Sequence, residues 1–292
     1  MSIDKLQNQI RKMKSPSAVF FPFDKAQIPP CFLKEAADEP YAYCLYAKSL
    51  LVALKDSIPM VRFGFASFAL CGIAGIDVLG QLLKFASEQG FYVLLDMPEP
   101  LSAGEAELAA DALFSEDGKW IFDGLLLSGY IGSDAVKPFV EKIKANDKDL
   151  FFTVRSGNKS APELQDLVTG SRLVYTVAAD MTKRLGEEFL GRCGFSRIAG
   201  MGPATSAEIL HALRSKYPEM FLLIDGYDYS GANAKNCSYA FNKLGHGAIA
   251  CAGSSITAAW KEENAGMEDA VVLAVQAAER MKKNLNRYVS IL

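Results

Sequence analysis

Histidine is nearly absent: there are two in 292 residues. The six cysteines, at 31, 44, 71, 193, 237 and 251, form no CxxC pair. A structural zinc site needs about four such ligands at close spacing, so none is expected. His211 falls inside a predicted outer helix and His246 in a loop before the last strand, so a Ser-His-Asp arrangement has no support. A basic excess is missing too. The 31 Lys and Arg face 34 Asp and Glu, a net charge of −3, so no nucleic-acid partner is expected. Mid-chain, the charge-free stretch 63–76 has 14 residues, short of the roughly 18 that a membrane helix needs. No membrane partner is expected. The N-terminus shows no continuous apolar segment of the kind that marks a secretory leader. Ile3, Leu6, Ile10 and Met13 instead recur at helical spacing and predict a helix docked on the domain. Unpaired thiols without a leader make the cytoplasm the expected location.

What is present is apolar rhythm. Half of the residues are hydrophobic and 22% are charged, the composition of a folded globule. Short apolar runs at 18–23, 59–63, 91–95, 122–127, 150–154, 196–201, 221–224 and 247–251 read as strands. Between them lie helical patterns at 41–55, 105–114, 133–145, 162–169, 174–190 and 232–242. Another runs through Ile76, Leu79, Leu83 and Ala86 to Gly90, and a long one from Met267 to Met281. Thr205 and Glu208 form a capping-box pattern that opens one more. About eight strand–helix units with no linker predict an α/β fold: one (β/α)8 TIM barrel domain over 1–292, with the N-terminal helix against its base. No GxGxxG turn follows the first strand, which weakens an open doubly wound sheet.

Charged residues cluster at one end of this pattern. Asp24, Arg62, Asp96, Arg155 and Asp225 each fall at or near the C-terminal end of a predicted strand. In a barrel those ends converge on one mouth, where enzymes of this fold carry their sites. An Arg there can clamp an anionic group, and an Asp can act as a base. The loops after the seventh and eighth strands read DGYDYSGA at 225–232 and AGSSI at 252–256. Such loops often build a phosphate site from backbone N–H groups, and Ser254 and Ser255 add hydroxyls. Asp96, Asp225 and Asp228 have the chemistry of hard-metal ligands, but their spacing does not demand a metal. No metal and no cofactor are expected.

Order and spacing then resemble the orotidine 5′-phosphate decarboxylase family, in particular its longer bacterial branch, over 17–261. VRSGN at 154–158 with PELQ at 162–165 resembles that branch's VRTSNP and its downstream Gln, here Gln165. FLLIDGY at 221–227 resembles FLIPGYGAQGG. AFN at 240–242, GAI at 247–249 and AGSSI at 252–256 resemble its last strand and NSSRGI loop. The resemblance implies a lyase of pyrimidine nucleotide biosynthesis with a phosphorylated, nucleotide-like ligand, built as a homodimer. It places Asp24 on ribose hydroxyls, and Ser156 and Asn158 on the pyrimidine. It places Gly226, Tyr227, Ser230, Gly231, Gly253, Ser254 and Ser255 around the phosphate.

The implied catalytic array is incomplete. The family uses Lys-Asp-Lys-Asp, whose second Lys protonates C6 as carbon dioxide leaves and whose last Asp enters the partner's site. Arg62 stands at the first Lys and Asp96 at the first Asp, but Pro98 replaces the proton donor and Leu101 the cross-subunit Asp. Arginine stays protonated and does not replace the lost acid. Lys25 is the nearest other lysine and reads as a surface residue. Ser230 and Ser254 stand where the family has a phosphate-binding Gln and Arg; losing that Arg removes a contact worth roughly 1.5–3 kcal/mol. Decarboxylation is therefore expected to be negligible. A different enzyme on the same barrel and a non-catalytic nucleotide binder are the alternatives.

Overall fold

A computed structural model describes residues 2–97, 100, 102–115, 120–262 and 266–292. Eight parallel strands close into a barrel: β1 (Ser17–Phe21), β2 (Met60–Gly64), β3 (Tyr92–Asp96), β4 (Gly124–Ser128), β5 (Asp149–Thr153), β6 (Ile198–Pro203), β7 (Leu222–Asp225) and β8 (Ala248–Ala252). The ring is sealed where β1 bonds both neighbours, Ser17 opposite Ala250 and Ala18 opposite Met60. The strands are almost wholly buried, which is why they read as continuous apolar runs rather than alternating ones.

The long helices are α1 (Ser2–Met13), α2 (Glu39–Leu54), α3 (Gly72–Glu88), α4 (Ala103–Leu113), α5 (Ser133–Ala145), α6 (Val174–Gly186), α7 (Ala207–Lys216) and α8 (Met267–Asn286). Helix α1 covers the barrel base, as the sequence predicts. Ile3, Leu6 and Ile10 are fully buried. Lys5 Nζ reaches the Phe91 carbonyl and the Asp123 carboxylate at 3.2 Å, and Gln7 accepts from the Gly247 N–H at 3.0 Å. Those partners all precede strands, so α1 closes the end opposite the mouth. Above it the rings of Tyr92, Phe151 and Phe221 pack edge to face, with centroids 6.4 and 6.3 Å apart. Gly124 makes room for them, since a Cβ there would lie 2.5 Å from the Tyr92 hydroxyl.

Four predicted elements differ. The helix expected at 162–169 is one 3₁₀ turn, Ala161–Glu163, followed by a small hairpin pairing Val168 with Leu173 and Thr169 with Arg172. Gly170, at φ +63°, supplies the left-handed turn residue, and β-branched Val168 and Thr169 favour the extended form. The helix expected at 232–242 shrinks to Ala234–Ser238, because Asn233 caps it and the chain turns again after Ser238. Helix α7 is capped by Ser206 rather than Thr205: the Ser206 hydroxyl accepts from the Ile209 N–H at 3.2 Å. Helix α6 also ends at Gly186, short of 190.

Candidate functional site

The mouth is organised by one guanidinium. Arg62 points from β2 to the ends of β3 and β7, where it donates to both Asp96 and Asp225; the Asp225 bond is 2.6 Å. Its plane lies 4.5 Å from the centre of the Phe20 ring. The residue is 8% exposed. Burial alone would lower the Arg62 pKa, but the two carboxylates more than offset it and hold it above the ordinary value. The cation is therefore permanent. The Cys251 thiol beside it is buried, which pushes its pKa up and leaves it protonated. Two carboxylates on one fixed cation form an electrostatic anchor, not a proton donor.

A cavity of about 290 Å³ opens above this anchor. Arg62, Asp225, Gly226, Gly253 and Ser254 of the predicted set line it. Phe20, Gln27, Asp228 and Tyr229 complete the walls that matter here. The Tyr229 ring folds over the mouth, against Gly157 and Gly226. A Cβ on Gly226 would sit 2.4 Å from that ring, and φ +78° suits only glycine there. The Asp225 charge, then burial, raises the Tyr229 pKa, so its phenol stays protonated.

Several predicted contacts face other tasks. Arg155 is not free to clamp a ligand: its Nε and Nη2 both bond the Asp166 carboxylate at 2.9 Å, and it also donates to the Ser156 carbonyl. Gln165 accepts from the Ser156 N–H at 2.8 Å, so it holds the loop's backbone. Asn158 is exposed at the loop's edge. Asp24 caps a short turn, accepting from Ala26 N–H at 2.9 Å and from the Gln27 amide at 3.1 Å. Gln27 in turn accepts from the Thr257 hydroxyl, tying the β1 loop to the β8 loop. Tyr227 lines clefts against Asn284 of α8 rather than the mouth cavity. Ser230 and Gly231 are exposed on the β7 loop, beyond the cavity walls. Lys25 is an exposed partner of Glu39. Pro98 and Leu101 lie outside the described residues, so their substitutions stand on the sequence alone.

The predicted phosphate cradle carries an occupant from its own chain. The Gly253 N–H donates to Asp228 Oδ2 at 2.6 Å and the Ser255 N–H to the same oxygen at 3.3 Å. The Ser255 hydroxyl donates to Oδ1. Asp228 was legible in the sequence only as a possible hard-metal ligand. Among the described residues, no three His, Cys, Asp or Glu side chains cluster as a metal site would require. Tyr229 had no sequence signal beyond its place in the loop.

No family model matches the chain. It is homologous over nearly its whole length to proteins named orotidine 5′-phosphate decarboxylase. One from Clostridium novyi is 26% identical over 286 residues, covering 98% of both chains. The fold is that of solved decarboxylases. The Plasmodium berghei orotidine 5′-monophosphate decarboxylase superposes with a TM-score of 0.76 at 14% identity, over 97% of this chain and 99% of that one. The Methanocaldococcus jannaschii enzyme, solved with the inhibitor BMP, gives 0.62 at 14% identity, over 92% and 98%.

Proposed function

We propose that this orotidine 5′-phosphate decarboxylase-like barrel binds a small polar molecule in its mouth and does not decarboxylate orotidine 5′-phosphate. The reaction needs an acid that delivers a proton to carbon as carbon dioxide departs. The observation that carries the reading is the fixed Arg62: the one cation among the described residues that line the mouth cavity is held between Asp96 and Asp225 and keeps its protons. Proline at 98 and leucine at 101 supply neither an acid nor a second carboxylate. Incubating pure protein with orotidine 5′-phosphate and following substrate absorbance tests this. No loss above the uncatalysed rate is expected; turnover typical of a decarboxylase sinks the reading.

A divergent enzyme is the second reading. Its support is Asp96, whose carboxylate side chain keeps 29% of its surface open at the mouth, where a general base would stand. We read the protein as a cytoplasmic homodimer. Leu70, just before α3, and Ile73, in its first turn, exposed at 89% and 90%, are the kind of apolar surface a partner subunit covers. The inhibitor held by the Methanocaldococcus relative supports a small-molecule ligand in this mouth.

A further inference from the structure

We propose that Asp228 sets the ligand class of the mouth: it fills the anion cradle from within the chain and restricts the cavity to uncharged or cationic polar molecules without a phosphate at that end. The inference rests on the mouth being the ligand site.

The loops after the seventh and eighth strands of a barrel are where an external anion is received, because their backbone N–H groups point outward together. Here the donors are present and already satisfied. Gly253 and Ser255 give both N–H groups to one carboxylate oxygen of Asp228, and the Ser255 hydroxyl serves the other. Hydrogen bonds to a carboxylate are the strong, charge-assisted kind. A phosphate entering the cradle must displace Asp228, and one binding beside it meets a like charge at close range.

The turn that delivers Asp228 is built for the purpose. Gly226 takes a left-handed conformation, φ +78°, and its carbonyl accepts from the Tyr229 N–H at 2.9 Å. The Tyr227 N–H is tied to the Cys251 carbonyl at 3.1 Å. Asp228 is thereby held over β8 from a loop 25 residues earlier. The rest of the wall has the same sign. Asp225 and Asp96 already exceed the single charge of Arg62, and Asp228 adds a further negative charge. The Tyr229 face, 45% exposed, offers a flat surface on which an uncharged ring or a cation can lie.

Calorimetric titration with inorganic phosphate, uridine 5′-monophosphate and uridine tests the proposal on wild type, Asp228→Gly and Asp228→Asn. Asp228→Gly empties the cradle. Asp228→Asn keeps an acceptor for Gly253 without the charge, and serves if the glycine variant melts early. Wild type is expected to show no saturable phosphate binding and to bind uridine 5′-monophosphate no better than uridine. Phosphate binding to Asp228→Gly, or to Asp228→Asn, is expected to tighten at least tenfold. Equal phosphate affinity in wild type and variants, or no gain in either variant, overturns it. Decarboxylation of orotidine 5′-phosphate by wild type would defeat the functional reading and this inference with it. Phosphate binding by a non-decarboxylating wild type would defeat this inference alone.

Discussion

At Arg62, removing the side chain leaves Asp96 and Asp225 without the charge that holds them. Arg62→Met is expected to cost about 3–5 kcal/mol of unfolding free energy in urea titrations, as breaking a buried pair does. Asp225→Asn, which keeps an acceptor and relieves one negative charge, is expected to cost distinctly less. An Arg62→Met cost below that of Asp225→Asn would contradict the anchor. The five charges at the mouth were legible in the sequence because each falls at or near the C-terminal end of an apolar run that reads as a strand. Their partners were not. Asp225 lies 163 residues from Arg62, and only closure of the barrel brings them together. Arg155 misled for a related reason: a charged residue at a strand end looks the same whether it faces a ligand or, as here, Asp166. Asp228 fits a loop, a metal site or a cradle equally well until the β8 loop is placed beside it.

At the level of elements, the β5 loop is held by side chains. Asp166 and Gln165, on the segment predicted as helix, instead fix Arg155 and the Ser156 backbone. Asp166→Ala is expected to cost roughly 1.5–3 kcal/mol, for the lost charge-assisted pair. It is also expected to speed amide exchange over 155–165 while leaving the barrel strands protected. Uniform exchange changes would contradict that local role. The strands were legible because burial on both faces leaves apolar runs that no helix period explains. The segment at 162–169 was not, since its apolar spacing fits a helix while Gly170 and two β-branched residues allow a hairpin. The hairpin is accompanied by contacts within the β5 loop, from Asp166 to Arg155 and from Gln165 to Ser156.

For the whole molecule, the two ends of the barrel carry different chemistry. The mouth holds the exposed carboxylates; the base buries one. Asp149, fully buried at the start of β5, has its pKa pushed up to about 7 by burial, which outweighs the Tyr92 hydroxyl at 2.8 Å and Arg197 at 3.5 Å. In the unfolded chain the same group titrates near 3.8. Below that value both states hold the proton and Asp149 adds no pH dependence. Above it the unfolded chain releases the proton first, so this contribution falls as pH rises and levels off above about 7. The stability of wild type relative to Asp149→Asn is expected to decline across that window, by on the order of 4 kcal/mol, and then to stay flat. A constant difference from acid to neutral pH would contradict it. The central claim concerns the other end. The most direct measurement is carbon dioxide release from carboxyl-labelled orotidine 5′-phosphate by pure wild type, with Asp96→Asn as the control for contaminating enzyme. Release at the uncatalysed rate from both proteins is the expected result. Release by wild type that disappears in Asp96→Asn would contradict the account.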